Sequence, residues 1–171
     1  MKTLFVPAAL PPPVRLRTWA TGGRLPAHTD LEPAQPRGTF SAAELCAIRE
    51  ADLRRALARL SKTGTAVRVG QYSLVKPRQD PADHLAEAQA VIHRRRWTTT
   101  ITTFDDTEAG DPALRPQLAR LVTALDAGEI HGIVAVSQTD ISPFPDIYAR
   151  TLTILRARRG FLALARNETS I

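Results

Sequence analysis

Apolar side chains recur every three or four positions across residues 41–64, at Leu45, Ile48, Leu53, Leu57 and Leu60, with Arg49, Arg54, Arg55 and Arg59 on the remaining surface. That spacing is the period of an amphipathic helix. Ser41 and Glu44 open it as a reciprocal capping pair, and Gly64 ends it. From Thr65 the pattern alternates between two periods. A strand over 66–75 is followed by a helix that Asp80 caps and Pro81 begins, with Leu85, Ala88, Val91 and Ile92 on one face. "TTTITTF", residues 98–104, is rich in β-branched residues and predicts a second strand, and "DDTEAGD" a loop. Leu114, Leu118, Leu121, Val122 and Leu125 mark a further helix ending at Gly128. "IHGIVAV", residues 130–136, is the near-continuous apolar run of a strand buried on both faces. "DIYARTLTILRARRG" gives another helix and "FLALA" a fourth strand.

The β-α-β-α-β-α-β order over residues 65–171 predicts an α/β domain: a mostly parallel, four-stranded sheet flanked by helices, with the helix of residues 41–64 added in front. Ligands of such sheets gather beyond the carboxyl ends of the strands. The loops "LVKPRQD" and "SQTDISPFPD" are therefore where chemistry is expected. Residues 1–40 hold "PPPVRLR", "TGG" and "EPAQPRG", too rich in proline and glycine for a regular element, and read as a flexible basic leader.

Charge changes this picture in one respect. The chain of 171 residues carries a formal net charge of +6. Residues 1–64 hold 10 Lys and Arg against 5 Asp and Glu, whereas residues 65–171 hold 13 against 12. The excess lies in the leader and first helix, so any phosphate contact is expected there, through Arg15, Arg17, Arg54 and Arg55. The same arginines more readily suit a solvated tail and a helix packed on its own domain. "RRR" at 94–96 closes a helix, where cations complement the helix dipole. No apolar run approaches the ~18 residues that span a bilayer. Pro7 interrupts the apolar start, and one cysteine, Cys46, cannot form an internal disulfide. These point to a chain without a signal peptide, in a reducing cytoplasm, with no membrane partner.

Candidate chemistry is sparse. "RVGQYS" lacks the further glycines of a dinucleotide turn, and His28, His84, His93 and His131 are too scattered for a metal set, so no cofactor is expected. Ser73, Ser137 and Ser142 lie near strand ends without a visible base.

The set formed by Asp106, Gly110, Arg115, Pro116 and Leu118, followed by "AGEIHGIVAV" and "RRGFLALARNETS", resembles the catalytic domain of the resolvase/invertase serine recombinases, over roughly residues 66–171. The resemblance implies DNA strand exchange through a serine nucleophile and an arginine cluster, with DNA and a second copy or another recombinase-like chain as partners. It places Gln79, Asp106 and Arg115 on family positions, Arg115 as a phosphate ligand. It also exposes a departure. The family's Tyr-x-Arg-Val-Ser-Thr falls on "QYSLVK", which puts Val75 at the nucleophile position and Ser73 at an arginine position; Ser73 is the fallback nucleophile. The second arginine motif falls on "SQTDISPFP", where only Asp140 and Ser142 keep its polarity. Three functions remain open: an inactive recombinase-like protein that associates with DNA or a partner, an active enzyme with a relocated serine, and a structural remnant.

Overall fold

The computed structural model describes residues 40–168. The leader, with Arg15 and Arg17, lies outside the described residues. The chain runs through helix α1 (Ala42–Lys62), strand β1 (Arg68–Val75), α2 (Ala82–Arg94), β2 (Thr98–Asp106), a 3-10 turn (Pro112–Leu114), α3 (Pro116–Asp126), β3 (Gly132–Ala135), the short α4 (Gln138–Ile141), α5 (Pro145–Ala157) and β4 (Leu162–Leu164). All strand pairs are parallel, in the order β2-β1-β3-β4. The expected α/β sheet is therefore present. Its strand order reverses between β1 and β3, which opens a crevice at their carboxyl ends.

Alternation along the strands divides the core. Tyr72, Ile133, Ala135, Leu162 and Leu164 pack against α3 and α5 through Leu121, Leu125, Leu152 and Leu155. Val69, Val134, Val136 and Ala163 face α2 through Ala88, Val91 and Ile92. Helix α1 contributes Leu45 to the first cluster and Leu53 and Ala56 to the second, and it contacts β4 and α5. It thus covers the sheet edge that β4 would otherwise present, a common way to block edge pairing.

Three sequence expectations change. Arg49 is buried, not on the surface of α1: its guanidinium meets Glu168 through Nε at 2.7 Å and Nη2 at 3.0 Å, and Tyr148 donates its hydroxyl to the same carboxylate at 2.7 Å. Leu114 belongs to the 3-10 turn and is 71% exposed, so the apolar stripe of α3 begins at Leu118. The polar loop after β3 contains α4, closed by a capping box of Ser137 and Asp140.

Four helices end alike. After α1, α2, α3 and α5, the residue two past the cap returns its N–H to a carbonyl one turn back: Thr65 to Leu60, Trp97 to Ile92, Glu129 to Ala124 and Gly160 to Leu155. Each such ending needs a left-handed residue before it. Gly64 (φ 62°) and Gly128 (φ 69°) fill that position after α1 and α3. Arg96 (φ 56°) and Arg159 (φ 58°) fill it after α2 and α5, where a Cβ is disfavoured. Arg96→Gly and Arg159→Gly are each expected to raise the unfolding free energy by roughly 0.5–1 kcal/mol, read as a higher urea midpoint at unchanged slope.

Candidate functional site

A cleft of about 390 Å³ opens where the strand order reverses. Val75 and Lys76 bring the end of β1 to it, Thr107 to Gly110 the loop after β2, and Thr139, Asp140 and Pro143 the segment after β3. The two loops singled out from the sequence do meet here. Their side chains, however, serve mainly to hold backbone.

Asp140 is the clearest case. Its Oδ1 accepts from the Leu74 amide at 3.1 Å, and its Oδ2 accepts from the Ser137 amide at 2.8 Å and hydroxyl at 2.9 Å. One carboxylate thereby ties the end of β1 to the turn after β3. His84, near the start of α2, places Nδ1 3.6 Å from the same Oδ1, the one His–carboxylate contact at the cleft among the described residues.

Arg115 is completely buried. Its Nε donates to the Ala109 carbonyl at 2.9 Å, and Nη1 donates to those of Asp140 at 2.7 Å and Ile141 at 2.9 Å. A longer contact of 3.4 Å joins Nη2 to the Gly110 carbonyl. The fork geometry of guanidinium is thus directed at backbone carbonyls on both sides of the cleft floor. A bound phosphate would have to compete for those donors.

Of the neighbouring acids, Asp105 rather than Asp106 is turned inward. Asp105 accepts from the amides of Gln117 and Leu118 at 3.1 Å each, serving the free N–H groups at the start of α3, and from the Tyr72 hydroxyl at 3.0 Å. Burial, and then the Asp105 charge, push the Tyr72 hydroxyl well above its usual range. Asp106 is exposed at the end of β2, paired in register with Val75. Gln79 closes the turn after β1, its Oε1 accepting from the Lys76 amide at 3.3 Å.

Val75 lines the cleft, whereas Ser73 lies one strand repeat deeper, at 0% exposure, on the α2 side of the sheet with Gln71. Its Oγ has no hydrogen-bond partner among the described residues, so none of them acts as a base that prepares it for attack. Arg54 and Arg55 lie on the outer side of α1, Arg55 paired with Asp52. They are remote from the cleft in the fold, being on the helix that covers β4.

The electrostatics oppose an anion. The cleft lining contributes Lys76 as its exposed cation, against the carboxylates of Glu108 and Asp140. Asp80, Asp83, Asp106 and Asp111 stand in the adjoining loops and helix start, outnumbering Arg78 there. No group of His, Cys, Asp and Glu among the described residues could hold a metal ion. Nor is any described helix long and apolar enough to cross a membrane.

The fold is that of the catalytic domains of serine recombinases. The chain is similar to the C-terminal catalytic domain of ISC1926 TnpA, an IS607-like serine recombinase, with a TM-score of 0.53 and 9% identity over 60% of this chain and 73% of that one. It is likewise similar to the N-terminal catalytic domain of TP901-1 integrase, with a TM-score of 0.51 and 14% identity over 57% and 76% of the two chains. No protein-family model matches the sequence, and no curated protein matches it.

Sequence reasoning missed the part played by Asp140 and by Tyr72 with Asp105. For Asp140 a signal existed: Ser137 three residues before it is the spacing of a capping box, hidden inside a short proline-rich loop. The Tyr72–Asp105 contact spans 33 residues and had no local signature.

Proposed function

We propose that this is a catalytically inactive serine-recombinase-type domain that associates with DNA or with a recombinase-like protein partner rather than cutting DNA. The observation that carries this reading is the state of the strand end. A valine occupies the place from which the β1 side chain meets the cleft, and the one serine of β1, Ser73, is sealed below it. Phosphoryl chemistry at a serine needs an activated hydroxyl beside the phosphate and fixed cations around it. Along a strand, Ser73 and Val75 side chains stand about 6–7 Å apart. A displacement of even ~1 Å can cost a hundredfold in rate. Arg115, the one family-matching arginine, is committed to carbonyls.

Support for a protein partner comes from the loops after β2 and β3, which expose Leu114 at 71% and Phe144 at 54%. Apolar side chains next to an acidic rim suit a protein better than a nucleic-acid backbone.

The reading is tested with supercoiled plasmid. The wild-type protein is expected to leave it supercoiled, and so is Val75→Ser, because a hydroxyl restored at the strand end still lacks the surrounding cations. Relaxed or linear product with the wild type would overturn the proposal. Product with Val75→Ser alone would show that the cleft retains the charge stabilisation we assign as lost.

A further inference from the structure

We infer that the end of the domain opposite the cleft is a docking surface for the phosphate backbone of duplex DNA. Helices carry their cations at their C-termini, and in this topology the C-termini of α1, α2 and α5 all lie at the amino ends of the strands. Arg59 and Lys62 close α1, Arg94, Arg95 and Arg96 close α2, Arg159 follows α5, and Arg68 begins β1. None of these seven has a carboxylate partner among the described residues, whereas Arg158 and Arg156 on the same rim pair with Asp126 and Asp52.

The cations form one patch. Arg59 donates to the Arg159 carbonyl. Arg68 donates to the Gly128 carbonyl at 2.7 Å, and its amide donates to His131 Nδ1 at 3.1 Å. His131 feels this crowding: burial first, and then Arg68 and Arg59, hold its imidazole below the usual pKa. On the α2 side, the Arg95 guanidinium lies 5.1 Å from the centre of the Trp97 ring, which packs at 5.3 Å on Phe161 at the start of β4. Arg159 is two residues from that phenylalanine.

The left-handed arginines add to this clustering. The same helix ending is built with Gly64 and Gly128 elsewhere in this chain, so glycine is available to the fold. At the ends of α2 and α5 the chain instead keeps Arg96 and Arg159 in a conformation that disfavours a side chain. Arg78 (φ 69°), in the turn after β1 at the cleft end, is left-handed as well. What distinguishes this end is that two such arginines stand together with five further cations that lack carboxylate partners among the described residues.

Chemistry selects the occupant. The large apolar residues exposed among the described residues, Phe40, Phe104, Leu114 and Phe144, are all absent from this end, so it offers neither a membrane-inserting anchor nor the apolar centre of a protein interface. Trp97 is half-buried between Arg95 and Phe161 and is no free platform for an unpaired base. Arginines without base-reading loops contact phosphate regardless of sequence. The surface is independent of the cleft, at the other end of the strands.

The test uses full-length protein and a fluorescently labelled 20-bp duplex of mixed sequence, titrated at several salt concentrations. Each phosphate contact contributes about 0.9 to the slope of log affinity against log salt. The double variant Arg96→Gly/Arg159→Gly is expected to lower that slope by about two while raising the urea midpoint, a separation that unfolding cannot imitate. Arg68→Gln/Arg94→Gln, which alters no left-handed residue, is expected to give the same loss. Lys76→Gln/Arg78→Gln, at the cleft end, is expected to keep the wild-type slope. An unchanged slope in both pole variants would place the contact elsewhere in the chain and overturn the inference. So would binding to phosphatidylserine vesicles without binding to the duplex.

Discussion

Arg115→Ala is expected to lower the unfolding free energy by about 3–5 kcal/mol. The side chain is fully buried, and its donors satisfy the carbonyls of Asp140 and Ile141, both themselves buried, together with that of Ala109. Truncation leaves these acceptors without partners and opens a cavity at the cleft floor, and a buried acceptor left unsatisfied costs ~1–3 kcal/mol. Arg115→Lys is expected to recover little, because one ammonium cannot reach carbonyls spread around a planar fork. Urea unfolding monitored by far-ultraviolet circular dichroism reads both. A residue kept as a phosphate ligand would behave differently: its removal would abolish anion binding at little cost in stability.

A loss of similar size, about 3–5 kcal/mol, is expected for Glu168→Ala, which leaves the buried Arg49 guanidinium with Glu50 as its remaining carboxylate and the Tyr148 hydroxyl without its acceptor. The pH dependence gives this pair a signature. Burial raises the Glu168 carboxyl, but hydrogen bonds from Arg49 and Tyr148 outweigh it and hold the group below its ordinary value of 4.5. A carboxyl lowered on folding contributes stability that is complete above its unfolded pKa and is lost as pH falls through the folded one. Tyr148 has the opposite sign. Burial, and then Glu168, raise it above its ordinary value of 10.0, so its contribution is complete below that pH and fades as pH rises beyond it. Glu168→Gln is therefore expected to flatten the acid limb of the stability profile below about pH 4.5, relative to wild type, and to weaken the alkaline loss. An unchanged acid limb would show that other carboxylates govern it.

How legible the molecule was depends on the range of the interaction. The capping box of Ser41 and Glu44 forms as its spacing predicts, with both hydrogen bonds present. The apolar faces of α2 and α3 and the all-buried β3 follow from periodicity for the same reason: each rests on residues within one or two turns. Arg49 was misplaced because residue type was weighed above position. It stands four residues after Leu45 and four before Leu53, on the buried stripe of α1, and Glu168, 119 residues away, together with the neighbouring Glu50, makes that burial tolerable. The choice between Asp105 and Asp106 was illegible for a different reason. In "TTTITTFDD" neither set of alternate positions is clearly apolar, so the inward face of β2 emerges only when α3 offers its amides to Asp105.

The candidate site shows the same division. The meeting of the two loops at the crevice followed from topology, and the valine at the strand end followed from register. The commitment of Arg115 to carbonyls, and the sealing of Ser73, required the packed structure. An arginine that matches a catalytic pattern in sequence thus serves here as a brace between the loops after β2 and β3.

The measurement that bears most directly on the proposed loss of strand cutting is the intact mass of the protein after incubation with supercoiled DNA, denaturation and exhaustive nuclease digestion. The mass is expected to equal that of the untreated chain, with no residual nucleotide. A phosphodiester-linked nucleotide mapped to Ser73 would contradict this, because it would require the buried hydroxyl to reach a phosphate across the Val75 side chain.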